Sequence, residues 1–413
     1  MISSDDTHHR RRPLGLAEAL SAVVLIACGS GMTATPQDGA ADGTASPSGR
    51  GVLEGGADGT AADTGASSPT PEDGTVDAYP SVDAANPTGD TGASSDGTAS
   101  SDAGASGDAR APGAATFHGV NWADARDNYV NGLLQLSGLD SSSDTYATVQ
   151  SKAGQILAQF RTKVGANAIR IPINEPTVSS SWWSAYKAVI DTAAADGMKV
   201  IVAYWAYHNG KPDDETAFKT MWQTVVSDYK DSQLVYFDIH NEPYGFGSSW
   251  NSEAATWLGY FPSLPRERVL IAGTGYDDNV TAVGGDARFA ACLLELHIYG
   301  FQHTSWTTRK QWTDALNSAI GSYAARTIVG EWGDTMNTGI DYDVDASDGS
   351  NQLSYVTTMA DYMRGAGMGS CYWPGLRNGD GYSMTSLSTS GTTLTLSVAN
   401  MSGLDRLHWA WGL

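Results

Sequence analysis

From Phe117 onward, short apolar and β-branched runs alternate with longer stretches in which apolar positions recur at helical spacing, the pattern that builds parallel sheets from βαβ units. Eight runs predict strands, at 117–122, 168–173, 199–204, 234–240, 269–272, 293–299, 327–331 and 371–373. Between them, 148–164, 182–195, 214–229 and 355–364 predict helices. Before Phe117 the pattern is missing: residues 29–115 repeat Gly, Ala, Ser, Thr, Asp and Pro with hardly any large apolar group. Such a segment cannot bury enough surface to offset chain entropy, and it reads as a flexible tether extended by its spread aspartates.

Eight strands with helices between them predict an α/β fold of the closed (β/α)8 kind, a TIM barrel. An open doubly wound sheet is the competitor. It would bring a glycine-rich phosphate turn after its first strand, and Gly119-Val120-Asn121-Trp122 is not one. The expected organisation is a signal peptide at 1–27, a tether at 28–115 and a barrel domain at 116–413. All 13 tryptophans and every phenylalanine lie at or beyond Phe117, with Tyr79 the one earlier aromatic of the Phe, Tyr and Trp set, so one globular domain is the simplest count.

The start of the chain carries its own message. His8, His9 and Arg10 to Arg12 form a basic opening, 19–27 is a short apolar run, and Leu25-Ile26-Ala27-Cys28 follows at once. This is the layout of an export signal, and the run is too short to span a bilayer. The last four residues resemble a bacterial lipoprotein signal, which implies diacylglyceryl attachment at Cys28; an ordinary secretory signal cut nearby is the alternative. Both readings send the domain out of the cytoplasm.

The formal charge of −22 changes the picture less than its size suggests, because residues 29–115 hold 13 acids against Arg50 and Arg110, half of the excess. Nothing resembles a basic stripe with interleaved aromatics, so nucleic acid is not expected as a partner, whereas a neutral polysaccharide is. Membrane contact is expected only through the lipid on Cys28, and the domain is expected to be a monomer. Cys292 and Cys371 leave a disulfide and two buried thiols equally open.

Candidate chemistry gathers where the predicted strands end, the carboxyl face on which barrels of this kind carry their sites. Strand two closes on Arg170 and Asn174-Glu175, strand four on His240-Asn241-Glu242-Pro243, strand six on His297-Ile298-Tyr299, strand seven on Glu331-Trp332 and strand eight on Tyr372-Trp373. Splitting a glycosidic bond requires one carboxyl to protonate the leaving oxygen and another to attack, or to activate water, at the anomeric carbon. Strands four and seven stand nearly opposite across a barrel mouth, so Glu242 and Glu331 can approach to about 5 Å, the separation of a retaining mechanism.

Arg170-Ile171-Pro172, Phe237-Asp238-Ile239-His240-Asn241-Glu242-Pro243, His297-Ile298-Tyr299, Ile328-Val329-Gly330-Glu331-Trp332-Gly333 and Tyr372-Trp373, in this order, resemble glycoside hydrolase family 5, the cellulase family. The resemblance covers nearly all of 117–413. It implies that Glu242 is the acid/base and Glu331 the nucleophile. It implies also that Asn241 bonds a sugar 2-hydroxyl, that Arg170 and Tyr299 orient Glu331, that His297 binds near the cleavage point, and that Trp373 stacks under a sugar ring.

Two departures need explanation. Asn-Glu-Pro occurs twice, at 174–176 and at 241–243; a catalytic Glu175 would need a different pairing across the barrel, and a hydrogen bond or ion pair at the rim, supporting Arg170, is the preferred role. Past strand three the family often has a histidine, where this chain reads Tyr204-Trp205-Ala206-Tyr207-His208-Asn209, so His208 or Trp205 is the candidate contact there. Trp122 and Trp205 serve either as sugar platforms or as rim packing, while Trp182, Trp183 and Trp222 fall on predicted helices and read as core or surface. His297 and Tyr299 share one strand face, which favours function over a plain core histidine. No His-Glu-x-x-His or Cys-x-x-Cys grouping is present, so neither metal nor cofactor is implied.

The expected activity is a retaining endo-β-glycanase on cellulose or a β-1,4-glucan, with a β-mannanase, xyloglucanase or exo-acting glycosidase as alternatives on the same fold. Loops 121–143 and 374–388 would set that choice. A catalytically dead, sugar-binding surface lipoprotein is the reading from another class, and the presence of both glutamates argues against it.

Overall fold

The structure, a computed structural model, describes residues 113–344 and 347–413. The expected signal peptide, Cys28 and nearly all of the tether lie outside the described residues. Strands β1 (His118–Trp122), β2 (Ala168–Ile173), β3 (Lys199–Tyr204), β4 (Val235–Asp238), β5 (Val269–Ala272), β6 (Leu293–His297), β7 (Thr327–Trp332) and β8 (Ser370–Leu376) each pair in parallel with the next. β8 pairs back onto β1, with Gly119 opposite Cys371, which closes the barrel. The fold is the (β/α)8 barrel that the alternation predicts. β4 and β6 are shorter than expected and β8 is longer.

Every residue of β2, β7 and β8 is buried, as a strand lined by side chains inside and covered by helices outside must be. The amino end of the barrel is plugged by an apolar layer of Phe117, Ala168, Ile201, Tyr236, Leu293 and Ile328. Ala114 belongs to the same layer, so the barrel domain begins slightly before residue 116. With the bottom filled by hydrocarbon, the polar side chains of the strands are left for the upper half.

Helix starts follow local chemistry. The Thr145 side chain accepts from the Thr148 amide to open Tyr146–Gln159, and Asp214 accepts from Thr216 and Ala217 to open Glu215–Tyr229. The helix predicted at 182–195 is two pieces, Trp183–Tyr186 and Ala188–Ala195. The one predicted at 148–164 loses α geometry after Gln159 and turns out at Gly165, φ +76°. Trp182, Trp183 and Trp222 are core residues, and Trp122 is fully buried with its ring nitrogen donating to Ser137, so it packs and is no sugar platform. Cys292 and Cys371 are buried free thiols, which answers the disulfide question.

Beyond β8 the chain makes an antiparallel hairpin, β9 (Thr385–Ser390) and β10 (Thr393–Val398), that the apolar pattern does not announce. Its outer edge is closed by side chains from Tyr146–Gln159: Gln155 and Gln159 bond the backbones of Thr392, Leu394 and Leu396. Covering an open edge in this way removes a pairing site for other chains.

Candidate active site

The catalytic candidates sit where β4 and β7 reach the carboxyl face. β4 ends at Asp238, and the chain then turns so tightly that Glu242 has φ +50°, a conformation costly for a residue with a Cβ. The buried Asp277 carboxylate accepts from the Glu242 amide at 3.1 Å and holds that turn. Glu331 is the fifth residue of β7 and pairs with His297 across a register shift, Leu296 standing opposite Val329, that leaves Gly330 as the extra residue on β7. Such a bulge re-aims the side chains beyond it.

These turns bring the two carboxylates together. One oxygen of Glu242, a ring nitrogen of His297 and one oxygen of Glu331 all lie within 4.8 Å of one another. Carboxylates whose nearest oxygens approach this closely can both reach one anomeric carbon. The same donors, or Asp277, Glu295 and His297 below them, are close enough to share a cation. Positive charge is already supplied there by Arg170 and His297.

Glu331 is almost fully buried and held on both oxygens: Arg170 Nη1 donates to Oε1 at 2.6 Å and the Tyr299 hydroxyl to Oε2 at 2.7 Å. Burial lifts its carboxyl above the usual range, against the pull of His297 and Arg170. Glu242 is more open, with its side chain 17% exposed. Its Oε2 accepts from the Tyr129 hydroxyl, and its Oε1 lies 3.4 Å from His297 Nδ1. Burial and the Glu242 charge push the Tyr129 phenol well above its ordinary range, so it stays a neutral donor.

Beneath this pair lies a buried polar layer. Arg170 is completely buried and reaches Asp238 at 2.8 Å, Glu295 at 2.8 Å, Asn241 Oδ1 at 2.7 Å and Asn121 Oδ1 at 3.2 Å in addition to Glu331. Burial works against its charge, and Glu295, Asp238 and Glu331 restore it. His297 Nε2 faces Glu295 at 3.4 Å and Asp277 at 3.5 Å. Burial alone would strip its proton, but Glu331, Asp277, Glu242 and Glu295 hold the imidazole well above its ordinary range.

Arg170, Asn241, His297 and Tyr299 all contact one another or the two glutamates, with the Asn241 amide donating to the Tyr129 hydroxyl at 2.9 Å. Trp373 stacks on Trp205 at 5.4 Å between ring centres, and Tyr129 meets Trp205 edge-on. Both indoles are at least nine-tenths buried. His208 stands apart: half-exposed, it pairs with Asp213 at 3.3 Å, and Tyr207 packs against its ring. The aromatic neighbour past β3 is therefore Trp205, because the chain between Ala206 and Asn209 leads outward over the rim.

Glu175 accepts from the Tyr204 hydroxyl at 2.7 Å and does not support Arg170 as expected. It lines a separate hollow of about 160 Å³ with Asn131, Tyr207, Asp213 and Asp214. Burial lifts its carboxyl, against the Tyr204 bond.

Five contributors escaped the sequence analysis: Asn121, Tyr129, Asp238, Asp277 and Glu295. Glu295 was accessible in principle, since it alternates with His297 and Tyr299 as an acid inside an otherwise apolar strand. Tyr129 and Asp277 lie in loops, where no periodicity points to a face.

The family described as Cellulase (glycosyl hydrolase family 5) matches residues 124–378. The catalytic domain of the major endoglucanase from Xanthomonas campestris pv. campestris superposes with a TM-score of 0.54 at 16% identity, over 72% of this chain and 95% of that one. A xyloglucan-specific endo-β-1,4-glucanase from a metagenomic library superposes with a TM-score of 0.48 at 15% identity, over 72% and 97%. At such identity the likeness to the Xanthomonas domain speaks for the fold alone. A comparison with curated proteins finds no match.

Proposed function

Because the chain belongs to the cellulase family, glycosyl hydrolase family 5, and is a glycoside hydrolase, we propose that it is a retaining endo-β-glycanase acting on cellulose or a related β-1,4-glucan. The observation that carries the reading is that an oxygen of Glu242 and an oxygen of Glu331 approach to within 4.8 Å beside His297. In this reading Glu331, gripped by Arg170 and Tyr299, attacks the anomeric carbon while Glu242 gives its proton to the departing oxygen. The glycosyl ester on Glu331 is then broken by water, whose proton Glu242 takes back. Two displacements at one carbon return the original anomer. Trp373, resting on Trp205, is suited to support the apolar face of a sugar ring.

The test is product analysis on a panel of β-glucans, mannans and xyloglucan, with the first-formed anomer read by NMR. Internal cleavage of a β-1,4-glucan with retained configuration is expected; an inverted product sinks the mechanism, and preference for another polymer moves the substrate assignment. A slow-reacting 2-fluoro sugar should label Glu331. The export reading joins this proposal: a lipid on Cys28 would hold the enzyme at a membrane, and release of a Cys28→Ser variant into the soluble fraction is expected.

A further inference from the structure

Glu295 has no part in the chemistry just described, yet both cations that face the catalytic pair meet at it. It is fully buried on β6, one inward position below His297. A single oxygen, Oε1, lies 2.8 Å from Arg170 Nε and 3.4 Å from His297 Nε2. From there Arg170 reaches forward to Glu331, and His297 reaches Glu242 at 3.4 Å and Glu331 at 3.8 Å.

The neighbouring strand is shaped around this carboxylate. A Cβ on Gly330, the residue before Glu331, would fall 1.8 Å from Glu295 Oε1. Only glycine lets β7 run this close while Glu295 keeps both cations, so the two positions are fitted to each other. Burial would raise the Glu295 carboxyl, but Arg170 and His297 hold it down at about 2, and it stays charged. Burial and the Glu295 charge push the adjacent Asp238 above the usual carboxylate range, against the pull of Arg170.

We propose that Glu295 is a positioning residue for both catalytic carboxylates, its one oxygen fixing Arg170 against Glu331 and His297 between Glu331 and Glu242. The inference rests on the hydrolase mechanism proposed above. The groups facing His297 are Glu242 after β4, Asp277 after β5, Glu295 on β6 and Glu331 on β7, with Asp238 acting through space. Among the groups in contact with His297, Glu295 is the one besides the nucleophile itself that also touches Arg170, whereas Asp238 touches Arg170 but not the imidazole.

Glu295→Gln preserves shape and removes the charge. Asp238, relieved of that neighbouring charge, still pairs with Arg170 at 2.8 Å and can accept from the new amide, so the fold should survive. The protonation of His297 should not. With histidine labelled at Cε1 and its signal assigned by loss in His297→Gln, the His297 midpoint should fall by about one unit or more, the usual effect of losing an opposite charge in contact. On the best substrate kcat should drop about 10- to 100-fold with KM little changed, as expected for slack in the reacting groups. Glu295→Asp, keeping the charge on a shorter stem, should move the midpoint less than Gln does.

Should the Gln variant not fold, Gly330→Ala makes the same test by driving the carboxylate off its place, and it should lower both kcat and the His297 midpoint. An unmoved His297 titration in either folded variant overturns the proposal, as does wild-type kcat. Lack of turnover by the wild type on every β-glycan would instead remove the hydrolase reading, and the titration would still judge Glu295.

Discussion

The Tyr129 hydroxyl donates to Oε2 of Glu242, although Tyr129 lies on the loop after β1 and Glu242 after β4. The same hydroxyl accepts from Asn241, so one phenol ties two consecutive residues of the β4 end to the opposite wall of the cleft. Tyr129→Phe removes both bonds and leaves the ring to pack on Trp205. Glu242 should then sample orientations that miss the glycosidic oxygen. A loss of about 10-fold in kcat is expected on a natural glycan, since misplaced general-acid catalysis is worth up to about 100-fold or more; an unchanged kcat would show that His297 and the backbone orient Glu242 without Tyr129.

Replacing Glu242 itself separates its two duties. Glu242→Ala loses protonation of the leaving oxygen, which matters for a sugar leaving group and hardly at all for dinitrophenolate. Hydrolysis of the glycan should fall by about 1,000-fold, within the range of general acid catalysis, while attack on the dinitrophenyl glycoside proceeds and the glycosyl enzyme accumulates. Added azide should rescue the second step and yield the β-glycosyl azide. Equal losses on both substrates would contradict the acid/base role.

Which parts of this molecule were readable in its sequence follows from periodicity. β2, β3 and β5 have the residue bounds predicted, because a buried parallel strand is a nearly unbroken apolar run. Glu242 and Glu331 stand at the ends of such runs, where an acid is conspicuous. Asp238 and Glu295 are no less conspicuous chemically, but their meaning lies in the barrel's interior, where residues far apart in sequence share one guanidinium. Tyr129 and Asp277 come from loops and are placed only once the barrel is closed. The β9–β10 hairpin is rich in Ser and Thr and buries chiefly alternate leucines, so its signal sits below that of the barrel strands. Sequence spacing leaves His208 and Trp205 as alternatives past β3, because it does not reveal that His208 stands half-exposed beside Asp213 while Trp205 is buried against Trp373.

The Asn-Glu-Pro at 174–176 offers a clean contrast with the one at 241–243. Glu175 is bonded to Tyr204 beside its own hollow, and none of its hydrogen bonds or ion pairs reaches Arg170, His297 or Glu331. Glu175→Gln keeps an acceptor for the tyrosine and should leave kcat within about two-fold of wild type, the ordinary scatter of a change outside the reacting groups. Glu242→Gln in the same assay should be severely impaired. A comparable loss in both would mean that the carboxylate pair has been assigned wrongly.

His240, two residues before Glu242, gives the domain a built-in sensitivity to acid. Its ring is completely buried among Tyr204, Phe246 and Trp250, with centroids 5.1, 5.5 and 5.8 Å away. Nδ1 meets the Asn241 carbonyl at 2.8 Å, and Nε2 is buried without a partner. Burial lowers its pKa from 6.5 to about 3, against the Asn241 bond. Between those values the unfolded chain binds a proton that the folded one refuses, so stability rises with pH through this window and is lost as pH falls. Acidification from pH 6.5 to about 4.5 should cost about 2 kcal/mol from this side chain, because the unfolded imidazole is half protonated at the start and the full slope of about 1.4 kcal/mol per unit is reached only below it. His240→Phe places a ring of similar size in the same aromatic cage and cannot titrate. Its denaturant midpoint should therefore fall less than that of the wild type over the same acid step, whatever the two stabilities are at neutral pH. Parallel slopes for the two proteins would mean that the imidazole is already protonated in the fold or that its burial is relieved by local opening.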